Sequence, residues 1–436
     1  MAGKPKTPNP YYQGPKSDHF DGRIFFNPDG TPPGSFSALL KWQLGGGRSK
    51  WPVSWPTPFA QAKPARKIAG DDLRVTMVGH ASLLIQVAGL NILTDPVWSE
   101  RVSPFTFAGP KRVNPPGIAF EDLPPIHIVL VSHNHYDHLD VATLKLLQVA
   151  HDPLVITPHG NDIIIRAGAP EMRVVTGDWG DSFEFEGITI HIEPAHHWSA
   201  RGAKDRRMAL WAGFVIGTPA GKIYFAGDTG FHDGINYRLI AEKHGGFRFA
   251  ILPIGAYEPR WFMKPQHQNP DEAVQGMVLA DAAFAAGCHW GTFQLTNEPI
   301  DEPRAKLHEA LDTHGVAREK FRAMLAGEVW DVPVVLTKAD IGARAGMTAS
   351  KLAGLIDVFQ DVIHALRRFD NEDDVVAEME DMLAQLRSGS MPNKLKMKVI
   401  FAPTGPLQEV SISSGWADEY LRLASRFDVE LAQAFA

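Results

Sequence analysis

The chain has 436 residues, of which 44% are hydrophobic and 21% are charged, and its formal net charge is -7. This composition is typical of a globular protein and excludes a fibrous or wholly disordered chain, while the mildly acidic balance argues against nucleic acid as a partner. No stretch approaches the ~18 apolar residues of a membrane span, and the polar start of the chain lacks the apolar core of a secretory signal. Because Cys288 is the single cysteine, no internal disulfide can form, and we expect a cytoplasmic protein that is at most peripheral at a membrane.

Residues 1–70 are rich in proline, glycine and aromatic residues and show little periodicity, and they carry 10 Lys or Arg against 3 Asp or Glu. We predict an extended arm that packs on the body of the protein. A basic arm could meet an anionic phospholipid surface, with Trp42, Trp51 and Trp55 as docking residues. The alternative is a solvated arm that lies over its own acidic body, in which case the tryptophans anchor it.

Residues 71–346 contain short runs of β-branched and aromatic residues separated by turn residues, which is typical of strands. Nine strands are predicted, at Leu73–Met77, Ser82–Val87, Leu90–Leu93, Ile128–Ser132, Leu154–Thr157, Ile188–Glu193, Ala212–Ile216, Lys222–Ala226 and Phe249–Pro253. Helical patterns cover Val141–Val149, Pro270–Ala280 and Pro303–His314. Hairpins with helices between them favour two mixed sheets with helices outside.

Residues 347–436 are predicted to form a small α+β accessory domain of ααββα order. Its predicted elements are a helix capped by Thr348 or Ser350 that reaches Phe369, a helix from Asn371 to Leu386, strands at Leu395–Phe401 and Gln408–Ile412, and a helix from Gly415. This region holds one histidine, His364, and no group of metal ligands. We therefore assign it to packing or partner binding.

A dense group of potential metal ligands follows the predicted strand at Ile128–Ser132. Residues 133–138 read His-Asn-His-Tyr-Asp-His, which places four potential ligands within six residues. Imidazoles and a carboxylate are costly to bury without a cation, and together they suit zinc, with iron or manganese as alternatives. We expect His133 and His135 to face one metal and Asp137 and His138 to face a second. A surface histidine cluster is the alternative.

Further candidate ligands also follow strands, where loops commonly carry functional side chains on a rigid scaffold. His196 and His197 follow the strand that ends at Glu193, Asp228 follows the strand that ends at Ala226, and His289 follows the stretch 282–288. Either His196 or His197 could be the ligand. Two carboxylates that neighbour these groups, Asp95 and Asp140, are candidates to orient ligand histidines.

The order His-x-His-x-Asp-His, a downstream His, a Gly-Asp and a final His resembles the metallo-β-lactamase superfamily. A more specific resemblance, to the branch of N-acylphosphatidylethanolamine-hydrolysing phospholipase D, covers about residues 70–330. The stretches that carry it include Leu93-Thr94-Asp95-Pro96, the run PIGAYEPRWFMK at Pro253–Lys264, and His289-Trp290-Gly291-Thr292-Phe293. The resemblance implies a four-layer αββα metallo-β-lactamase sandwich over residues 71–346.

The same resemblance implies a centre of two zinc ions. One ion would be held by His133, His135 and His197, the other by Asp137, His138 and His289, with Asp228 bridging them. It further implies that Asp137, Asp228 and His267 are the catalytic residues and that the pair Gln266 and His267 contacts the substrate, where His267 would position it or protonate the leaving group; a loop-exposed histidine is the alternative. Apart from the resemblance, Tyr136 and Tyr257 are candidates to bind the substrate by donating hydrogen bonds to phosphate, and the alternative is that they are packing aromatics. His80 is expected to be structural or to support a ligand.

The resemblance favours a phosphodiesterase that cleaves N-acylphosphatidylethanolamine-like lipids with phospholipase D outcome, by attack of a metal-bridging hydroxide. Its partner would then be a phospholipid or another phosphodiester, met by peripheral contact with a membrane. Two alternatives stay open: a hydrolase of the same fold that acts on a soluble lactone or ester, and a non-catalytic scaffold, which a full ligand set disfavours. The sequence indicates no oligomeric state.

Overall fold

A computed structural model describes residues 8–335, 338–369, 373–387, 392, 394–403 and 405–434. The chain divides into two compact units, Met1–Val335 and Leu336–Ala436. This division falls earlier in the chain than the predicted boundary after residue 346. All the candidate metal ligands belong to the first unit.

The first unit contains two mixed seven-stranded sheets. In chain order its strands are β1 Leu73–Gly79, β2 Ser82–Val87, β3 Leu90–Thr94, β4 Ile128–Leu130, β5 Leu154–Pro158, β6 Arg173–Gly177, β7 Ser182–Phe185, β8 Ile188–Glu193, β9 Gly213–Thr218, β10 Gly221–Phe225, β11 Phe247–Pro253, β12 Ala282–Cys288, β13 Phe321–Ala323 and β14 Val329–Asp331. One sheet has the order β14-β1-β2-β3-β4-β5-β6, and the other has the order β13-β12-β11-β10-β9-β8-β7. The nine predicted strands are all present, with ends that differ by at most two residues.

Helices accompany both sheets in this unit. They are α1 Phe36–Leu44, α2 Val141–His151, α3 Asn161–Gly168, α4 Ile235–His244, α5 Arg260–Met263, α6 Pro270–Leu279 and α7 Glu302–Thr313. The three predicted helices correspond to α2, α6 and α7. Helix α1 lies within the region predicted to be an extended arm.

Both faces of each sheet are buried, because alternate side chains of a strand point to opposite faces. In β2, Leu83 and Ile85 belong to the core between the sheets, whereas Leu84 belongs to a cluster that includes residues of α2. In β11, Phe249 belongs to the core between the sheets and Ala250 to a cluster that includes residues of α6 and α7. The predicted αββα sandwich is therefore confirmed.

Residues of the N-terminal arm bond directly to the sandwich. The side-chain amide of Asn9 donates to the carbonyl of Met208 at 2.7 Å, and the indole N–H of Trp51 donates to the carbonyl of Glu298 at 2.9 Å. The arm thus reaches both the loop after β8 and the segment before α7. Within the described part of the chain, no helix is long and apolar enough to cross a membrane.

The second unit is helical where the structure describes it. Its helices are α8 Lys338–Phe369, α9 Asp373–Arg387, α10 Lys394–Ile400, α11 Pro406–Ser413 and α12 Ala417–Ala434. The two strands predicted at Leu395–Phe401 and Gln408–Ile412 are therefore wrong, and so is the ααββα order. The helix predicted from Thr348 or Ser350 starts earlier, at Lys338, and the predicted cap Asn371 lies outside the described residues.

Burial in α10 explains the error. Leu395, Met397 and Val399 alternate with lysines in the sequence, and such alternation is the usual sign of a strand. In the structure Met397 and Ile400 are buried while Val399 is 53% exposed. A buried pair three residues apart belongs on one face of a helix. The same applies to α11, in which Leu407 and Val410 are buried and Ile412 is 62% exposed.

Candidate metal centre

The seven predicted ligands come together, because each follows a strand whose end lies at the same side of the sandwich. The cluster His133–His138 follows β4, and the other three ligands follow β8, β10 and β12 in the second sheet. The described ligand atoms form overlapping groups within 4.8 Å of one another. Their side chains are shielded from solvent, with Asp137 the most exposed of the carboxylates at 13%.

Three imidazoles form one side of the centre. His133 Nε2 lies 2.8 Å from His135 Nδ1, and His197 Nε2 lies 3.2 Å from the same atom. Burial lowers the pKa of His133 and of His197 well below the ordinary value, and it lowers the pKa of His135 to about 4. Neutral imidazoles with free lone pairs are what a metal ion requires.

The other side combines a carboxylate with two imidazoles. Asp137 Oδ2 lies 3.3 Å from both His138 Nε2 and His289 Nε2. His80 Nε2 lies 2.9 Å from the same oxygen, and its ring centre is 4.0 Å from that of His289. His80 therefore supports a candidate ligand directly, as expected from the sequence.

Asp228 lies between the two sides. Its Oδ2 is 3.2 Å from the Nε2 atoms of His138 and His289, 3.6 Å from His197 Nε2 and 3.9 Å from His133 Nε2. Burial alone would raise the pKa of Asp228, but the charges of His138 and His289 hold it well below its ordinary value. One ionised carboxylate thus faces both groups of imidazoles.

The geometry of these atoms fits a metal centre. Nitrogen and oxygen ligands bound tetrahedrally at 2.0–2.1 Å from zinc lie about 3.3 Å apart, and most of the distances above are close to that value. His138 Nε2 and His289 Nε2 lie 3.2 Å from Asp228 Oδ2 but form no hydrogen bond of acceptable geometry, and Asp228 Oδ1 is buried without a hydrogen-bond partner in the described structure. Buried polar atoms without partners are costly, and a bound cation would satisfy all three.

Two hydrogen bonds orient the rings of candidate ligands. Asp95 Oδ2 lies 2.6 Å from His138 Nδ1, and His197 Nδ1 donates to the carbonyl of Gln266 at 2.9 Å. Each bond turns the Nε2 lone pair of its ring toward the centre. Asp95 therefore bonds to a candidate ligand, as the sequence predicts, whereas the prediction for Asp140 is wrong. Asp140 instead caps α2 by accepting from the backbone N–H of Ala142.

The choice between His196 and His197 follows from their contacts. His196 Nε2 lies 3.1 Å from Asp29 Oδ1, its Nδ1 lies 3.1 Å from the side-chain amide of Asn236, and its ring stacks on His232 at 4.0 Å. It is therefore turned to the arm and away from the ligand group. His197 is the histidine that joins His133 and His135.

A cavity of about 520 Å³ opens above the cluster. His135, Asp137, Asp228 and His289 line its polar end. The remaining lining is largely apolar and comes from both the arm and the body: Pro33, Gly34, Leu39, Trp42, Trp198, Ala200, Gly202, Ala203, Arg206, Ala256, Phe262, Met263, Gln266, His267, Leu295 and Thr296. An apolar pocket with a few polar groups at one end is typical of a ligand site.

The predicted substrate residues divide into two pairs. Gln266 and His267 line the cavity, and His267 Nδ1 lies 3.9 Å from Asp228 Oδ2. Tyr136 and Tyr257 are not among the lining residues: the guanidinium of Arg201 lies 3.6 Å from the ring centre of Tyr136, and the Tyr257 hydroxyl donates to Glu302 at 2.6 Å. Only the first pair is brought to the cavity.

The tryptophans of the arm also have different positions. Trp42 lines the cavity and stacks on Phe262 at 5.3 Å. Trp51 bonds to Glu298, and Trp55 packs edge-on against Trp290 at 5.8 Å. Trp51 and Trp55 thus anchor the arm. The cavity walls Leu39 and Phe262 were not singled out from the sequence, which has no local signal for contacts between segments so far apart.

Known proteins resemble this chain over the region that contains the centre. A family model described as a β-lactamase superfamily domain matches residues 90–290, which include all seven candidate ligands. N-acyl-phosphatidylethanolamine-hydrolyzing phospholipase D 1 of Caenorhabditis elegans is 41% identical over 285 residues, which cover 62% of this chain and 80% of that protein. The mitochondrial N-acyl-phosphatidylethanolamine-hydrolyzing phospholipase D of Saccharomyces cerevisiae is 36% identical over 53% of this chain and 50% of that protein. A metal-dependent hydrolase of Pyrobaculum neutrophilum is 29% identical over 59% of this chain and 99% of that protein.

Proposed function

The chain belongs to the metallo-β-lactamase superfamily, in the branch of N-acylphosphatidylethanolamine-hydrolysing phospholipase D, and from this premise we propose a more specific activity. The protein is a binuclear zinc phosphodiesterase that cleaves N-acylphosphatidylethanolamine-like lipids. The products are an N-acylethanolamine and a phosphatidic acid, which is the phospholipase D outcome. The family supports metal-dependent hydrolysis in general, and the lipid diester is the proposed substrate.

The observation that carries this proposal is the position of the apolar cavity. Its walls include Leu39, Trp42, Phe262 and Leu295, and its floor is the ligand cluster. A phospholipid likewise has an apolar part and a polar part, because its hydrocarbon chains are attached to a polar diester. Chains that enter the apolar part would leave the diester next to the ligands, where the reaction takes place.

The metal ions are assigned by the donor sets. One zinc would be held by His133, His135 and His197, the second by Asp137, His138 and His289, with Asp228 bridging; iron or manganese would suit the same donors. When bound, two such ions supply a hydroxide nucleophile at neutral pH and neutralise charge on a phosphoryl group. Asp137 and Asp228 are thus catalytic through the ions that they hold.

His267 is proposed to position the diester or to protonate the leaving group. Its ring lines the cavity, and its centre lies 5.0 Å from that of His197 and 5.5 Å from that of His289. The Nδ1 atom is buried and has no hydrogen-bond partner in the described structure. It lies 3.9 Å from Asp228 Oδ2, a distance that the proposed ligand His133 shares. A substrate oxygen in the cavity would give this nitrogen a partner.

Gln266 completes the polar end of the cavity and ties it to the arm. Its side-chain N–H donates to the carbonyl of Thr31 at 2.9 Å, while its Oε1 is buried without a partner in the described structure. We propose that this oxygen accepts a hydrogen bond from the amide N–H of the substrate.

We also propose peripheral contact with a phospholipid surface through α1. Leu40 and Leu44 on this helix are 46% and 77% exposed, and Trp261 nearby is 54% exposed. Lys41 Nζ lies 5.1 Å from the ring centre of Trp261. Apolar side chains beside a lysine suit the boundary between acyl chains and anionic headgroups. A cytoplasmic location stays a prediction.

The proposal is tested with zinc-loaded protein and a panel of substrates. The panel contains N-acylphosphatidylethanolamine in detergent micelles, a soluble phosphodiester, and a lactone. We expect rapid release of N-acylethanolamine from the lipid and slow turnover of the others. Ready opening of the lactone, with the diesters untouched, would replace this function by the hydrolysis of soluble lactones or esters.

A further inference from the structure

The cavity is lined by one positively charged side chain that is not a candidate metal ligand. Arg206 is the only lysine or arginine among the described residues that line it. Its Cζ lies 4.5 Å from the ring centre of Trp198, and that ring packs edge-on against His135 at 4.7 Å. The cation is therefore separated from a candidate metal ligand by a single aromatic ring.

The guanidinium of Arg206 is held in place but is not neutralised. Its Nη2 donates to the carbonyl of Gly34 at 3.0 Å, and its Cζ lies over the ring of Trp198. A guanidinium has five N–H donors, so most of them stay available. Burial lowers the pKa of Arg206, and no carboxylate in the described structure contributes to its shift.

Nearby cations differ in this respect. Arg201 donates from Nη1 to the carbonyls of Asn134 and Leu139 and lies over Tyr136, so it braces the loop that carries the ligands. Lys204 is exposed and does not line the cavity. Among the described lysines and arginines, only Arg206 both lines the cavity and keeps most of its donors available.

We infer that Arg206 forms an anion-binding subsite that recognises a phosphate group of the ligand beside the candidate metal centre. A planar guanidinium pairs with phosphate through two parallel hydrogen bonds, and its partly desolvated position strengthens them. The subsite selects phosphate-bearing lipids against neutral glycerides and esters. The identification of the ligand as a lipid rests on the proposed function, whereas the recognition of an anion does not.

The test measures equilibrium binding to the zinc-loaded full chain by calorimetry, so it does not depend on turnover. The probes are dioctanoyl phosphatidic acid, neutral dioctanoylglycerol and inorganic phosphate. The variants are Arg206→Gln and, as a matched control, Lys204→Gln, which removes one positive charge from the same loop outside the cavity. Metal content and melting temperature are measured for each variant.

Arg206→Gln should raise the dissociation constant for phosphatidic acid by about 10- to 100-fold, as expected for a lost charge-assisted hydrogen bond. Binding of dioctanoylglycerol should not change, and Lys204→Gln should resemble the wild type with every probe. If Arg206→Gln alters the metal content, Arg206→Lys is used in its place. Lysine can keep the positive charge and the hydrogen bond to Gly34, but it lacks the planar guanidinium that forms two parallel hydrogen bonds. Arg206→Lys should then weaken phosphatidic acid binding several-fold.

Unchanged phosphatidic acid binding in the Arg206 variants, or an equal loss in Lys204→Gln, would overturn the inference even if the wild type cleaves the lipid. A loss confined to inorganic phosphate would overturn the lipid part of it. If the wild type cleaves no diester lipid but phosphatidic acid binding still depends on Arg206, the proposed function fails and the anion subsite stands.

Discussion

Asp95 Oδ2 lies 2.6 Å from Nδ1 of His138, and both side chains are fully buried. The same carboxylate accepts from the backbone N–H and the hydroxyl of Ser132. A buried carboxylate with three bonds is rigid, so it fixes the direction in which His138 Nε2 points.

We predict that Asp95→Asn weakens metal binding by about 10- to 100-fold, because the amide holds the ring less firmly and lowers its basicity. Competition with a chelator measures this affinity. The matched control is Asp140→Asn, since Asp140 follows the same cluster but caps α2. Its metal affinity should equal that of the wild type. Equal losses in the two variants would show that Asp95 acts only through folding.

His267→Ala should lower diester turnover by about 10²- to 10⁴-fold, the usual value of a positioned acid or base. The zinc content should stay at the wild-type level, because His267 is not among the proposed ligands. His196→Ala is a useful control for the removal of a histidine near the centre, since His196 precedes the candidate ligand His197 but is bonded to Asp29 and not to the ligand group. Loss of zinc from His267→Ala would mean that His267 is itself a ligand.

The contacts of His19 should make the free energy of unfolding depend on pH. Its Nδ1 lies 2.6 Å from Asp18 Oδ1 and its Nε2 lies 2.7 Å from Asp178 Oδ1. Burial alone would lower the pKa of His19, but the bonds to Asp178 and Asp18 raise it above its ordinary value. The stabilisation is therefore fully present below the unfolded pKa of about 6.5, and it is lost as the pH rises through the folded pKa.

His19→Gln should accordingly lower the melting temperature more at about pH 6 than at about pH 9. Thermal unfolding followed by circular dichroism at the two pH values measures the difference. The titratable side chain of His159 also interacts with this ring, and it stays unchanged in the variant. A loss of equal size at both pH values would contradict the assignment.

Features of this protein that depend on residues close together in the sequence were easier to predict than features that depend on distant segments. The clustering of the seven candidate ligands was predictable because four of them lie within residues 133–138 and the others follow strands. The strand predicted at α10 was wrong because the alternation of Leu395, Met397 and Val399 with lysines is also compatible with a helix. The cavity was not predictable, since Leu39 and Phe262 meet only after the chain has folded.

The C-terminal unit gives a further prediction. A chain that ends at Val335 should fold and bind zinc as the full chain does, because the contacts divide the molecule at this point and all seven candidate ligands precede it. Metal analysis and thermal unfolding of the truncated protein measure both properties. A soluble truncated protein that binds no zinc would show that the centre depends on residues 336–436.

The reaction itself is tested most directly by isotope labelling. Zinc-loaded protein is incubated with N-acylphosphatidylethanolamine in water enriched in oxygen-18, and the masses of both products are measured by mass spectrometry. Attack on phosphorus with loss of the ethanolamine oxygen places one labelled oxygen in phosphatidic acid and none in N-acylethanolamine. That pattern is the expected result, whereas label in N-acylethanolamine, or no cleavage of the lipid by fully loaded protein, would contradict the proposed function.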